Sequence, residues 1–529
     1  MTQTASLQHP ALGSILGVDS DQTIQYRGIP YATLEHQFAD AVLFENPSQR
    51  LIDATSYGPQ STQPSETCDI EHTFIQHGLP HGELKDSGTE CLNLNITVPK
   101  GQASGLPVVV FVHGGGYFLG AGSWPQFDMK RLVAQSVRCG KPMIGVTINY
   151  RLGAPGFLTS EELTSHGIKP DRGLHDQVAA FTWIQRFIGG FGGDPQRVTA
   201  SGVSAGSISI LLHLAKKQPL FSQAVCMGGT PSLIPRLPLE VAEGTYATVL
   251  QKFGISELPP KERIEELKKI DREGWVTKLS PGLPLSPVAD KDENQPPFYQ
   301  AGVPEAAISK SGSDWCPRIM MGDCEMDLLT RTQSSIMFYM LGPGIAQIGT
   351  KFRAVLDKSL SDRPDVKQAL LDTYDNQKDD DGLGFLRFAH DVVQLAATRL
   401  IASRWPGSAY VFHFNEPNPW EGRFQGVASH LLDVAFLFQN YEEYLSEEQV
   451  SSGRTFGRHF IEFVSGEEPY APFSSGSGKV QVYGPGEQRS RQVDAKDLVA
   501  AGRRDLVFSL AEDVGLDKLT ATVHMTLHP

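Results

Sequence analysis

The sequence predicts an α/β fold with a mostly parallel central sheet, helices on both faces and cap-like insertions. Short apolar runs typical of buried strands alternate with amphipathic stretches through the first half of the chain. The composition is that of a globular protein, with 40% hydrophobic residues, 52 Gly and 35 Pro among 529 residues. Because no internal repeat divides the chain, we expect a single domain over residues 1–529.

The elements of the first half follow a strand, loop and helix order. Residues 107–112 (PVVVFV) and 143–148 (MIGVTI) have the composition of buried strands. Residues 174–188 carry apolar side chains at helical spacing, which predicts a helix. Residues 197–201 predict a short third strand. Residues 207–216 (SISILLHLAK) predict a helix that is apolar on nearly every face, so we expect it to be buried.

The second half is less regular. Residues 258–270 (LPPKERIEELKKI) predict a charged surface helix, and the Pro-rich residues 281–297 predict a loop within a cap-like insertion. Residues 318–322 and 409–414 are typical of later strands of the sheet. Residues 494–512 predict a C-terminal helix.

Charge and cysteine content exclude several classes of partner. The net charge is −14 and neither sign is clustered, which disfavours nucleic acid and anionic membranes. No apolar stretch approaches the roughly 18 residues of a membrane span. The six cysteines contain no C-x-x-C pair, so a structural zinc site is not expected. Since the first residues also lack a secretion signal, we expect a cytoplasmic protein that acts on a small molecule.

The pentapeptide at residues 202–206 (GVSAG) matches the pattern G-x-S-x-G. The pattern alone is weak evidence, but here a predicted strand precedes it and an apolar helix follows it, as in the sharp turn that exposes a nucleophilic serine. The flanking glycines are required because side chains there collide across the turn. Ser204 is therefore the candidate nucleophile, at a helix N-terminus that favours developing negative charge.

A glycine run at residues 113–116 (HGGG) follows the first predicted strand. Unobstructed backbone N–H groups at a strand end are a ready source of an oxyanion hole, which acyl transfer on a serine requires. We assign His113 to positioning of this loop and not to proton transfer.

Five further segments, in family order, make the chain resemble a type-B carboxylesterase of the cholinesterase-like branch of the α/β-hydrolase fold. The resemblance extends almost from end to end. It rests on residues 28–32 (GIPYA), 91–95 (CLNLN), 149–153 (NYRLG), 156–158 (GFL) and 191–195 (FGGDP), together with the two motifs above.

The resemblance implies an acid and a base downstream of Ser204. In residues 319–327 (IMMGDCEMD) the family spacing of five residues after the glycine selects Asp327, with Glu325 as the alternative. The base implied is His430 in residues 426–433 (GVASHLLD), although Gly426 precedes it by four residues where the family has three. His175 and His413 lie in a predicted helix and a predicted strand, which favours structural roles for both.

The resemblance also implies the mechanism and its accessory groups. His430 deprotonates Ser204, and the N–H groups of Gly115, Gly116 and Ala205 hold the oxyanion of an ester's tetrahedral intermediate. No metal or organic cofactor is expected.

Departures from the family bear on the substrate. Residues 68–91 contain no Trp or Tyr, and Val203 stands where cholinesterases have Glu, so a neutral or acidic ester with apolar bulk is favoured over a choline ester. An acyltransferase, lactonase or amidase would use the same triad, and a non-catalytic binding protein on this fold is a further alternative. A disulfide between Cys68 and Cys91 stays open at this point.

Overall fold

The computed structural model describes residues 3–527 except 47, 102–103, 216–218, 280–282, 290–314, 328–346, 375–381, 474–477, 487, 496 and 498–505. Its centre is a large mixed sheet with strand order β1-β2-β3-β7-β9-β8-β10-β11-β12-β13-β14-β15, in which β6 also pairs with β2. The strands are β1 Thr4–His9, β2 Gly13–Asp19, β3 Thr23–Pro30, β4 Ala32–Thr33, β5 Val42–Leu43, β6 Ile52–Asp53, β7 Asn93–Pro99, β8 Leu106–Val112, β9 Ile144–Ile148, β10 Gly193–Val203, β11 Gln223–Met227, β12 Arg318–Cys324, β13 Ser408–Phe414, β14 Lys479–Tyr483 and β15 Ser490–Asp494.

Helices connect and cover these strands. In chain order they are α1 Thr67–Ile75, α2 Lys130–Arg138, α3 Gly153–Phe157, α4 Glu161–Ser165, α5 Arg172–Phe187, α6 Ala205–Ala215, α7 Leu239–Phe253, α8 Pro260–Lys269, α9 Arg272–Lys278, α10 Ile348–Ser359, α11 Pro364–Tyr374, α12 Leu383–His390, α13 Ala397–Arg404, α14 Leu432–Phe438, α15 Glu447–Val464, α16 Leu506–Leu510 and α17 Leu516–Leu527. None of the helices within the described ranges combines the length and the apolar character needed to cross a membrane.

The parallel part of the sheet runs from β9 through β8, β10, β11, β12 and β13 to β14. Both of its faces are buried, because the side chains of β8 alternate between two cores. Val108, Val110 and Val112 belong to a core that includes side chains of α5 and α6. Val109 and Phe111 belong to a second core, shared with α2 and α15. The predicted sheet with helices on both faces is therefore confirmed.

Most predicted elements are present with shifted ends, and one is wrong. The third strand extends beyond residues 197–201 to Gly193–Val203. The helix predicted over residues 494–512 is wrong at its start, because Asp494 ends β15, which pairs antiparallel with β14. The strand is partly exposed along its length, and its sequence does not alternate between apolar and polar residues. Of the Pro-rich residues 281–297, only 283–289 are described, as irregular chain.

Parallel strands bring their carboxyl ends to one edge of a sheet, where sites of α/β proteins form. The loops that follow β8, β10, β11, β12 and β13 all leave from this edge. These loops carry the residues that the sequence singled out as functional.

Candidate active site

Ser204 lies in the tight turn between β10 and α6. Its φ is +54°, a left-handed conformation that costs a non-glycine residue about 1–2 kcal/mol. A Cβ on Gly202 would lie 2.6 Å from the carbonyl carbon of Gly206, and one on Gly206 would lie 2.1 Å from the carbonyl oxygen of Val112. Both glycines are therefore required by space, as predicted. The turn is held by a 2.9 Å hydrogen bond from the Ser204 N–H to the carbonyl of Met227.

The glycine loop after β8 packs directly against this turn. A Cβ on Gly114 would lie 2.9 Å from the Cβ of Ser204. Gly115 and Gly116 have positive φ angles of +91° and +62°, which glycine adopts without strain. Among the described residues, neither of their N–H groups donates to a backbone carbonyl. Ala205 begins α6, where the first N–H groups lack intrahelical acceptors.

His113 supports the glycine loop from below. It is buried, its ring stacks on Tyr150 at a centroid distance of 4.5 Å, and its Nδ1 lies 3.0 Å from the carbonyl oxygen of Gly114. Burial lowers the pKa of His113 to about 4. The imidazole is therefore neutral near pH 7 and suits the positioning role that the sequence suggested.

The loops after β12 and β13 run side by side and bring Asp327 to His430. Nδ1 of His430 donates to Oδ1 of Asp327 at 2.9 Å, and the N–H of Cys324 donates to Oδ2 of Asp327 at 2.8 Å. A bridge between Met326 and Ser429 sets the relative position of the two loops. With Nδ1 protonated, Nε2 of the neutral imidazole carries the lone pair that a general base needs.

The structure therefore sets Asp327, and not Glu325, against His430. Glu325 is half-buried, and its backbone N–H donates to the carbonyl of Phe414 at 3.0 Å. No hydrogen bond joins its carboxylate to His430.

A glycine pair after β11, which the sequence analysis missed, connects the serine to the Asp-His pair. A Cβ on Gly228 would lie 3.1 Å from Oδ1 of Asp327 and 3.3 Å from the ring of His430. A Cβ on the next residue, Gly229, would lie 2.2 Å from the carbonyl oxygen of Ser204. The three predicted triad residues thus surround one pair of glycines. The only sequence signal for this pair was its place behind a short apolar run, residues 223–227 (QAVCM).

Acidic neighbours set the electrostatics of His430. Burial opposes a charged imidazole, but the hydrogen bond and charge of Asp327, helped by Asp433 and Glu71, outweigh it and raise the pKa of His430. Burial raises the pKa of Glu71 to about 7 and that of Asp433 to about 7. Glu71 lies on α1 and accepts a 2.9 Å hydrogen bond from the amide of Gln126.

A second Asp-His group lies within the sheet below Asp327. His413 on β13 hydrogen-bonds through Nδ1 to Asp323 on β12, and Nε2 of His390 lies 3.5 Å from the other oxygen of Asp323. Ligand atoms of Asp323, Asp327 and His390 lie within 4.8 Å of one another, a spacing compatible with a metal ion. Each oxygen of Asp327 already accepts one hydrogen bond, from His430 or from the N–H of Cys324. His413 lies in a strand as predicted.

The six cysteines all fall within the described residues, and none of them forms a disulfide, including Cys68 and Cys91. The alternative of a disulfide between these two is therefore not present in the structure. Burial raises the pKa of the Cys91 thiol to about 12.

Comparison with known proteins gives one family over nearly the whole chain. A model described as the carboxylesterase family matches residues 3–500. Para-nitrobenzyl esterase of Bacillus subtilis (strain 168) is 32% identical over 320 residues, which cover 58% of this chain and 60% of that protein. The chain thus spans less than two thirds of that relative. Lipase 3 of Yarrowia lipolytica (strain CLIB 122 / E 150) is 30% identical over 494 residues, or 88% of this chain and 89% of that protein.

Solved structures show the same fold. A PNB esterase structure superposes with a TM-score of 0.72 at 23% identity and covers 96% of this chain and 100% of its own. Juvenile hormone esterase from Manduca sexta, with OTFP covalently attached, gives a TM-score of 0.73 at 22% identity over 96% of this chain and 100% of its own. These likenesses confirm the fold that the sequence resemblance implied.

Proposed function

Because the chain belongs to the carboxylesterase family, we propose that it hydrolyses a carboxylic ester by two-step acyl transfer on Ser204. The observation that carries this proposal is that the hydrogen-bonded pair of Asp327 and His430 lies against Gly228, while the next residue, Gly229, packs against the Ser204 turn, which also contacts the glycine loop. Acyltransferase, lactonase or amidase activity would use the same groups, but no observation favours them.

In the first step Nε2 of His430 accepts the proton of the Ser204 hydroxyl as Oγ attacks the ester carbonyl. The carbonyl oxygen becomes an oxyanion, which receives hydrogen bonds from the N–H groups of Gly115, Gly116 and Ala205. The imidazolium then protonates the departing alkoxide, and the acyl group stays on Ser204.

In the second step His430 takes a proton from water, whose oxygen attacks the acyl-enzyme. Collapse of the second tetrahedral intermediate releases the carboxylic acid and returns the proton to Ser204. Asp327 holds the imidazole in the tautomer with Nδ1 protonated and stabilises the imidazolium that forms twice in the cycle.

The substrate we propose is a neutral or acidic ester with apolar bulk. Val203, beside the nucleophile, is fully buried and carries no charge to attract a cation. The segment of residues 68–91 offers Phe74 as its aromatic ring, and this ring is buried in the core. Neither feature supports cation recognition by the face of an aromatic ring.

For localisation we propose the cytoplasm, supported by the six described cysteines, none of which forms a disulfide. One relative is a protein named secreted lipase from Arthroderma benhamiae, so the proposal needs its own test. Fractionation of the source cells should place the esterase activity with cytosolic markers, and activity in the medium would contradict it.

The activity is tested with a series of p-nitrophenyl esters of increasing acyl length, followed by a choline ester and its uncharged 3,3-dimethylbutyl isostere. We expect hydrolysis by the wild type and none above background by Ser204→Ala. Ser209→Ala is the matched control, since Ser209 is a buried hydroxyl on α6, the helix that follows Ser204, and its activity should stay within about tenfold of wild type. The choline ester should have less than a tenfold advantage in kcat/KM, or about 1.4 kcal/mol. Hydrolysis that survives Ser204→Ala would refute the proposal.

A further inference from the structure

Two histidines and an aspartate meet on the outer side of α1, apart from the proposed triad. Asp69 and His72 are three residues apart on the helix and so share a face, and His81 belongs to the loop that follows. Nε2 of His81 lies 3.2 Å from Oδ1 of Asp69, and Nδ1 of His72 lies 3.9 Å from the same oxygen. The two imidazole centroids are 6.3 Å apart.

The hydrogen bonds of His72 fix its tautomer. Its Nε2 lies 3.0 Å from Oε1 of Gln126, whose amide nitrogen is committed to the carboxylate of Glu71 at 2.9 Å. Nε2 must therefore carry the proton, which leaves a lone pair on Nδ1. His72 is 4% exposed, and burial lowers its pKa, which keeps the ring neutral. Within the described part of the chain Nδ1 has no hydrogen-bond partner.

His81 is oriented in the same manner. Its Nδ1 lies 2.9 Å from the carbonyl oxygen of Gly82, which only accepts, so Nδ1 carries a proton and Nε2 faces Asp69. The hydrogen bonds to Gly82 and Asp69 raise the pKa of His81, and a metal ion that displaces the proton on Nε2 finds a second lone pair there. A proton on Nε2 would satisfy the contact to Asp69 but would leave Nδ1 of His72 without a donor. A single cation bound between the three groups would accept a lone pair from each of them once the ring of His81 turns toward His72.

We propose that Asp69, His72 and His81 bind a divalent transition-metal ion of the zinc type. Two imidazole nitrogens and one carboxylate oxygen are a ligand set that zinc prefers, with a fourth position left to water. The remaining ring nitrogen of each histidine bonds to a carbonyl oxygen, as is usual for histidines that bind metals. Asp69 is 70% exposed, which gives the ion access, and rotation of the partly exposed His81 closes the site.

The site would connect α1 to the loop after it. The last turn of α1 lies next to the catalytic loop, since the hydroxyl of Ser429 donates to the carbonyl of Phe74 at 3.3 Å. A bound ion therefore stabilises the position of α1 without touching the serine. Metal that binds only the native state raises the melting temperature with its concentration.

The site is tested by calorimetry. The untagged chain is first freed of metal with a chelator, and zinc chloride is then titrated into it. Cobalt(II) in place of zinc provides a visible spectrum that reports tetrahedral ligation. We expect one equivalent of zinc to bind and Tm to rise. Asp69→Asn and His81→Ala should each lower the affinity for zinc by at least about tenfold, since even the loss of a residue that hydrogen-bonds to a metal ligand lowers affinity by that much.

The matched control is His166→Ala, an exposed histidine whose Nδ1 lies 2.9 Å from the carbonyl oxygen of Glu162. This variant should bind zinc like the wild type. No binding at about 100 µM zinc would overturn the proposal. Unchanged affinity in both site variants, or an equal loss in the control, would also overturn it.

Discussion

Two Asp-His pairs lie near the end of β12, and their surroundings differ. Their aspartates, Asp323 and Asp327, are four residues apart in the sequence. Asp327 and His430 lie in loops beyond the sheet, and the imidazole lies against Gly228, whose neighbour Gly229 packs against Ser204. Asp323 and His413 face each other in register on adjacent strands, with His390 beside them, and both are fully buried. The chemistry of the two pairs is the same. What differs is that the imidazole of His430 lies near the turn that carries Ser204, whereas that of His413 lies within the sheet.

A hydrogen-bonded Asp-His pair is therefore not in itself evidence of a catalytic role. A cross-strand pair within a sheet satisfies buried polar groups and contributes to stability. The same kind of pair, placed on loops at the carboxyl edge, lies near the Ser204 turn, where we propose that it deprotonates the serine. Variants that affect one pair and spare the other therefore separate the two roles.

The largest effect is expected from Asp327→Asn. The amide favours the wrong imidazole tautomer and cannot stabilise imidazolium, so kcat for a p-nitrophenyl ester should fall by about 10⁴. Circular dichroism should show an intact fold. A loss of less than tenfold would mean that another carboxylate orients His430.

Asp323→Asn should have the opposite effect to Asp327→Asn, with a loss of stability and little loss of activity. A buried group that loses its partner costs about 1–3 kcal/mol of unfolding free energy, measured by urea denaturation. The activity of each folded molecule should stay within about tenfold of wild type. A loss of kcat equal to that of Asp327→Asn would show that both pairs serve the serine.

Glu325→Gln tests the alternative acid directly. Since Glu325 lies near the triad without bonding to His430, its neutralisation should change kcat by less than about tenfold. The comparison is made on the same ester as for Asp327→Asn. If Glu325→Gln were the more damaging of the two, the assignment of the acid would be wrong.

The smallest effect is a shift in pH dependence for Glu71→Gln. His430 acts as a base only when neutral, so kcat/KM rises with pH through its pKa, which is raised above 6.5. Glu71 contributes to that rise, and glutamine keeps the acceptor for Gln126 without the charge. The acid limb of the pH profile should therefore move to lower pH in the variant.

The same variant has a consequence for stability. The pKa of Glu71 in the folded protein, about 7, lies above its ordinary value of 4.5. Its contribution to the free energy of unfolding is therefore fully present below pH 4.5 and is lost as the pH rises through 7. Glutamine does not titrate. The unfolding free energy of the variant relative to wild type should thus be higher at pH 8 than at pH 4, and an unchanged difference would contradict the burial of an ionisable Glu71.

The parts of this site that could be predicted from the sequence are those with local causes. The Ser204 turn and the glycine loop follow from apolar strands and from glycines with no room for a side chain. Asp327 and His430 came from the spacing implied by the family resemblance, because the bridge between Met326 and Ser429 that brings them together is long-range.

Other features have no local signature. Asp323 meets His413 only through the register of two strands, and Glu71 approaches the triad only because α1 packs there. The strand at residues 490–494 has a partner in β14 but no apolar alternation, which is why the sequence did not predict it and the predicted helix began at residue 494. Tertiary pairing decides such segments more than local preference does.

We propose that Ser204 is the nucleophile and that the pair of Asp327 and His430 activates it. A fluorophosphonate that reacts with activated serines, located by peptide mass spectrometry, tests it most directly. We expect one label per chain on Ser204, none in Ser204→Ala, strongly slowed labelling in Asp327→Asn and nearly normal labelling in Asp323→Asn. A label on another residue, or labelling that persists in Ser204→Ala, would contradict the claim.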